Sequence, residues 1–134
     1  MTSIFKSPLI PTSWGELIDK ITILEIKNKK ITSQLALENI NNELMLLNKI
    51  FSFELNMPYE VGSLKEQLYE INVQLWTVED DIRDKDKLSE FDSKFIELAR
   101  SVYRLNDERA KIKKKINVVM NSEIVEEKSY KDFN

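Results

Sequence analysis

Apolar residues recur at intervals of three and four along almost the whole chain, the periodicity of amphipathic helices. Neither Gly nor Pro occurs between Glu16 and Met57 or between Ser63 and Asn134, so only a change of phase can interrupt a helix there. The first element opens at a capping box, Ser13 with Glu16, whose hydroxyl accepts from a first-turn amide while the carboxylate reaches back. Its seam is Leu17, Ile21, Leu24 and Ile31, with Asn28 in a slot where an apolar residue is expected. Continued unbroken to Asn56 it would be about 60 Å long, too long for other helices to match. The phase shifts at Thr32 and Ser33 to a second seam, Leu37, Ile40, Leu44, Leu47 and Phe51, which places a turn there. Pro58 and Gly62 then mark a loop, and a second box, Ser63 with Glu66, opens a third helix. Its Leu64, Leu68, Ile71, Leu75, Val78 and Ile82 keep heptad spacing. The charged stretch Asp84 to Ser89 ends it, and a fourth helix carries Phe91, Phe95, Leu98, Val102, Leu105, Ile112, Ile116 and Val119.

The pattern therefore predicts an all-α protein, a single helical domain over residues 1–134 with helices at about 14–31, 34–55, 63–84 and 89–119. Short connections predict an antiparallel four-helix bundle-like arrangement. The stretch Ile4 to Pro11 holds two prolines and reads as an extended arm whose Ile4, Phe5, Leu9 and Ile10 are expected to lie against the bundle. The segment after Asn121 is polar and acidic but keeps Ile124, Val125, Tyr130 and Phe133, which predicts a partly ordered tail. Long heptad seams also suit pairing between chains, so a homodimer is an expected partner state.

Composition narrows the chemistry. There is no His and no Cys among the 134 residues, which removes imidazole-activated nucleophiles, disulfides and thiolate or histidine metal sites. Net charge is −3, against a dedicated nucleic-acid binder, and no sequence-specific nucleic-acid partner is expected. The charge is uneven: Ser63 to Glu108 holds seven cations and twelve anions, whereas Arg109 to Lys115 holds five cations and no anion. The start lacks the features of a signal peptide and no apolar run approaches 18 residues, so a cytoplasmic protein without membrane partners is expected.

What remains for function is charge on or beside the seams. Arg109 occupies the slot between Leu105 and Ile112, where a guanidinium must be paired, and Glu79 is the expected partner. Asp80 and Arg83 lie near Glu79, while Arg100, Tyr103, Asn106, Asp107 and Lys113 make a polar stripe on helix 4. These nine residues form the candidate binding pocket between helices 3 and 4, suited to an anionic small molecule; the competing reading is a structural ion pair and a solvated face. No cofactor is expected; a divalent metal is the one such carboxylates suit, with Glu16, Asp19, Glu79 and Asp80 as weak candidates. The dense acids from Glu79 to Asp86 lack the glycine and ligand alternation of an EF-hand.

The strings GELIDKITILEIK from Gly15, LWTVEDDIR from Leu75, FIELARSVYRLNDERAKIKKKIN from Phe95 and EEKSY from Glu126 resemble a bacterial family of unknown function. That resemblance implies kinship without a chemistry. The Glu16/Asp19 and Glu79/Asp80 spacings are partly similar to helical nucleotide pyrophosphohydrolases, although the paired glutamates of that family's first metal helix are absent. Arg83, Arg100, Arg109 and Lys113 resemble the cationic set that chorismate mutases place around a dicarboxylate, without the arginine expected late in the first helix. The function expected is thus that of an interaction or ligand-binding module, with an enzyme acting on a phosphorylated or dicarboxylate metabolite as the alternative.

Overall fold

A computed structural model describes residues 5–52 and 56–131. The chain is all-α and bundle-like, with α1 Trp14–Lys30, α2 Gln34–Ser52, α3 Glu60–Lys87 and α4 Ser93–Val119. Its centre is α1, which packs on each of the other three helices, while α3 and α4 form the most extensive pair. The string from Leu17 to Ile26 explains this placement. Leu17, Ile18, Ile21, Leu24 and Ile26 are all buried, and no single stripe can hold them, so α1 is covered on more than one side.

The core lies where α1 meets the α3–α4 pair. Ile18, Val61, Leu64, Leu68, Ile71, Leu75, Ile112 and Ile116 form one buried cluster, each side chain contributing roughly 1.5–3 kcal/mol by leaving water. By contrast α2 buries only Ile40 and lies against α1, tied there by Lys20 to Glu43 at 3.0 Å. Its Phe51 reaches the main cluster. The expected extension of this helix to residue 55 falls outside the described residues.

Local chemistry sets the ends. Ser13 Oγ accepts from the Glu16 amide at 3.1 Å, but the Glu16 carboxylate leaves the box for Lys113, 2.7 Å away on α4. The third helix starts at Glu60 and not at Ser63, because the Val61 amide already donates to the Pro58 carbonyl at 3.1 Å and the fully buried Val61 anchors that turn. Ser63 is an interior residue whose hydroxyl accepts from Gln67. Helix α3 continues to Lys87, beyond the expected stop at 84, and ends where Ser89 takes a positive φ of 54°. Asp92, not a residue near 89, caps α4 by accepting from the Phe95 amide at 2.9 Å.

Two further expectations are corrected. The arm is not buried against the bundle: Phe5, Leu9 and Ile10 are exposed, and Pro8 and Pro11 keep the stretch out of a helix; Ile4 lies outside the described residues. Asn28 is exposed and specifies no register, because the last turn of α1, Lys27 to Lys30, buries no residue. No helix is long and apolar enough to cross a membrane among the described residues.

Candidate functional site

Asp19 is buried in the middle of α1, at 1% exposure, and such a carboxylate needs hydrogen bonds and a counter-charge. Both come from the α3–α4 pair. Arg109 Nε donates to Oδ1 at 2.9 Å, and Arg109 Nη2 donates to Oδ2, closing a two-pronged bond. Asn72 Nδ2 on α3 donates to Asp19 Oδ1 and to Thr22 Oγ1, each at 2.9 Å, while the Thr22 hydroxyl donates to the Asp19 carbonyl at 2.7 Å. One acid on α1 thereby fixes a base on α4 and an amide on α3. The hydrogen bond to Asp19 holds the Arg109 guanidinium above its ordinary pKa, against desolvation that lowers it.

Asn72 and Arg109 of this network line a cleft of about 390 Å³ between α1, α3 and α4. Ile23 and Ile26 of α1 form one wall; Leu75 and Trp76 of α3 add apolar surface; Glu79, Asp80 and Arg83 line the α3 side, and Asn106 and Arg109 line the α4 side. Arg83 Nη1 lies 2.7 Å from Glu79 Oε2. Asn106 Oδ1 accepts from Arg109 Nη1 at 3.4 Å, and its own amide donates to the Val102 carbonyl at 3.1 Å. A guanidinium carries five N–H groups. Asp19 and Asn106 use three of those on Arg109, which leaves one N–H on each of Nη1 and Nη2 without a partner among the described residues.

Five of the nine expected pocket residues meet in this cleft: Glu79, Asp80, Arg83, Asn106 and Arg109. Arg100, Tyr103, Asp107 and Lys113 do not line it. The exposed Tyr103 hydroxyl has its pKa lowered chiefly by a hydrogen bond with Arg100, so those two serve each other. Lys113 lies beside the network, 2.7 Å from Glu16, 3.9 Å from Asp19 and 3.4 Å from Glu126. The expected Arg109–Glu79 pair is replaced by Arg109–Asp19 and Arg83–Glu79, because α1 brings a deeper carboxylate to the guanidinium than α3 does. For the same reason the cleft has three walls and not two.

Sequence reasoning placed Asp19 only among weak metal candidates and did not single out Asn72, Thr22, Ile23 or Ile26. The signal for Asp19 was its position inside an apolar string. Glu16 is held by Lys113 and Asp19 by Arg109, so the four acids proposed for a metal do not form one set. Among the described residues no group of three or more acidic side chains is placed to hold a metal ion.

The N-terminus of α1 joins the same interface. Its Gly15 amide donates to Asn117 Oδ1 at 2.7 Å and its Trp14 amide donates to Ser122 Oγ at 3.1 Å, so the end of α4 and the turn after it supply capping groups across the interface. A Cβ on Gly15 would sit 2.5 Å from the Lys113 carbonyl oxygen, so only glycine permits this approach. No curated protein and no solved structure matches the chain. The model described as a family of unknown function, DUF6165, matches residues 10–133, and the chain belongs to that family.

Proposed function

We propose that the chain is a cytoplasmic ligand-binding module whose three-walled cleft takes a small metabolite bearing a carboxylate or phosphate beside a flat apolar portion. The observation that carries this reading is the state of Arg109. Its guanidinium is locked by Asp19, and its two remaining N–H groups are available to an anion in the cleft that it lines. A donor fixed before binding loses little freedom when the ligand arrives. Trp76, Ile23 and Ile26 suit a planar apolar body, and the Asn72 and Asn106 amides border the same space.

A thermal-shift screen tests this with dicarboxylates, nucleotides and inorganic phosphate, since a ligand that binds the native state raises the midpoint. The expected result is a concentration-dependent rise with one anion class, accompanied by a change in tryptophan fluorescence that is absent in Trp76→Leu. No rise with any of them would sink the reading. Asp80 supports a second outcome, since it is a cleft carboxylate with no cationic partner among the described residues and so suits the role of a base. Turnover of the bound anion that disappears in Asp80→Asn while binding persists would make the module an enzyme.

A further inference from the structure

A second concavity of about 800 Å³ lies away from the cleft, between the first turns of α3 and the last turns of α4. Its apolar surface comes from Tyr59, Leu64, Val118 and Val119. Tyr59 is 94% exposed and Val118 is 71% exposed, more than a chain of this kind gains from leaving in water. Lys111, Lys114 and Lys115 stand along one side, at a spacing of three and four that places them in a row on α4. Among the described residues Lys111 and Lys115 have no acidic partner, whereas Lys114 lies 3.2 Å from Glu127 of the tail.

We infer that this trough is a docking site for an acidic amphipathic helix of a partner protein. The α4 residues that line it run from Lys111 to Val119, about 12 Å or two turns, which suits the anchors of a short helix at i, i+3 or i+4, and i+7. Its apolar floor takes the partner's apolar stripe, and the lysine row takes carboxylates beside that stripe. The chain itself shows one such contact, since Glu127 of its tail reaches Lys114 on the rim of the trough. A concave trough accepts a rod better than it accepts the flat face of a lipid bilayer. The inference is independent of the cleft, because no residue is shared between the two.

The test uses the full chain and a fluorescein-labelled 15-residue peptide with Leu at i, i+3, i+4 and i+7 and Glu elsewhere, read by anisotropy. Expected is saturable binding, weakened at least tenfold by Val118→Asp and by the pair Lys111→Glu with Lys115→Glu, and unchanged by Leu46→Asp on the outer side of α2. Both groove variants alter exposed side chains, and circular dichroism melts confirm that they fold. Equal binding of a sequence-scrambled acidic peptide, binding that survives either groove variant, or no binding would overturn the inference. So would binding to anionic phosphatidylglycerol vesicles without binding to the peptide, or a dimer in sedimentation that Val118→Asp dissociates.

Discussion

The Asp19 carboxylate and the Arg109 guanidinium meet side by side across the α1–α4 interface, 90 positions apart in the chain, with the acid almost wholly buried and the base partly so. The asymmetry in burial decides which partner is more costly to lose. Arg109→Met strands a buried carboxylate with only Asn72 in hydrogen-bond reach and Lys113 at 3.9 Å, and should cost about 3–5 kcal/mol. Asp19→Asn leaves a guanidinium that water can still reach, and should cost about 1–3 kcal/mol. Urea unfolding of both variants checks the order. Combining Arg109→Met with Asp19→Asn should cost less than the two single changes together, and strict additivity would contradict the pairing.

The two glycines should respond in opposite directions. Gly15→Ala drives a Cβ into the Lys113 carbonyl and Asn117 Oδ1, so α1 must shift from α4 at a cost of about 1–3 kcal/mol. Gly62 lies inside α3 with open space around it, and Gly62→Ala should stabilise by about 0.5–1 kcal/mol through helix propensity. Thermal melts of the pair read the sign directly.

Capping from a distance makes Asn117 more important than a surface amide. Asn117→Ala removes the acceptor for the Gly15 amide inside a buried contact and should cost about 1–3 kcal/mol. Ser13→Ala, a local cap on the same helix, should cost about 1 kcal/mol. Amide exchange at Gly15 should accelerate in the first variant; unchanged exchange would show that the contact is not made in solution.

At the α3–α4 turn, Lys85 bridges Glu90 at 3.0 Å and Asp92 at 2.9 Å. The lysine holds the Asp92 carboxyl below its ordinary pKa, helped by the Phe95 amide, and Asp92 followed by Glu90 raises the lysine. The Asp92 contribution is present above the ordinary carboxylate value, about 3.9, and is lost as pH falls through the depressed one. The Lys85 contribution is present below about 10.4 and is lost as pH rises through the raised value. Lys85→Met should therefore lower the midpoint between roughly pH 4 and 10 and converge on the parent outside that window. High salt should shrink the difference, since both carboxylates are exposed. A difference independent of pH would assign the effect to packing of the lysine stem.

Helix number and type were legible because apolar spacing and the absence of Gly and Pro act locally. The ends were less so: Ser63 and Glu66 satisfy a capping pattern, yet the buried Val61 starts α3 a turn earlier. Arg109 was legible as a base in need of a partner, and five residues of the cleft followed from their places on α3 and α4. Its partner was not, because choosing Asp19 over Glu79 depends on how deeply α1 sits between its neighbours. The exposure of Phe5, Leu9 and Ile10 likewise depends on tertiary placement and not on local pattern.

The reach of Asn117 and Ser122 back to Gly15 and Trp14 bears on the order in which the molecule is made. A nascent chain that has not yet released residue 117 from the ribosome holds an α1 whose leading amides lack two of their acceptors, and whose Asp19 lacks Arg109 until much of α4 has emerged. The central helix is thus synthesised before every helix that packs on it, and its docking is deferred until translation of α4 is done.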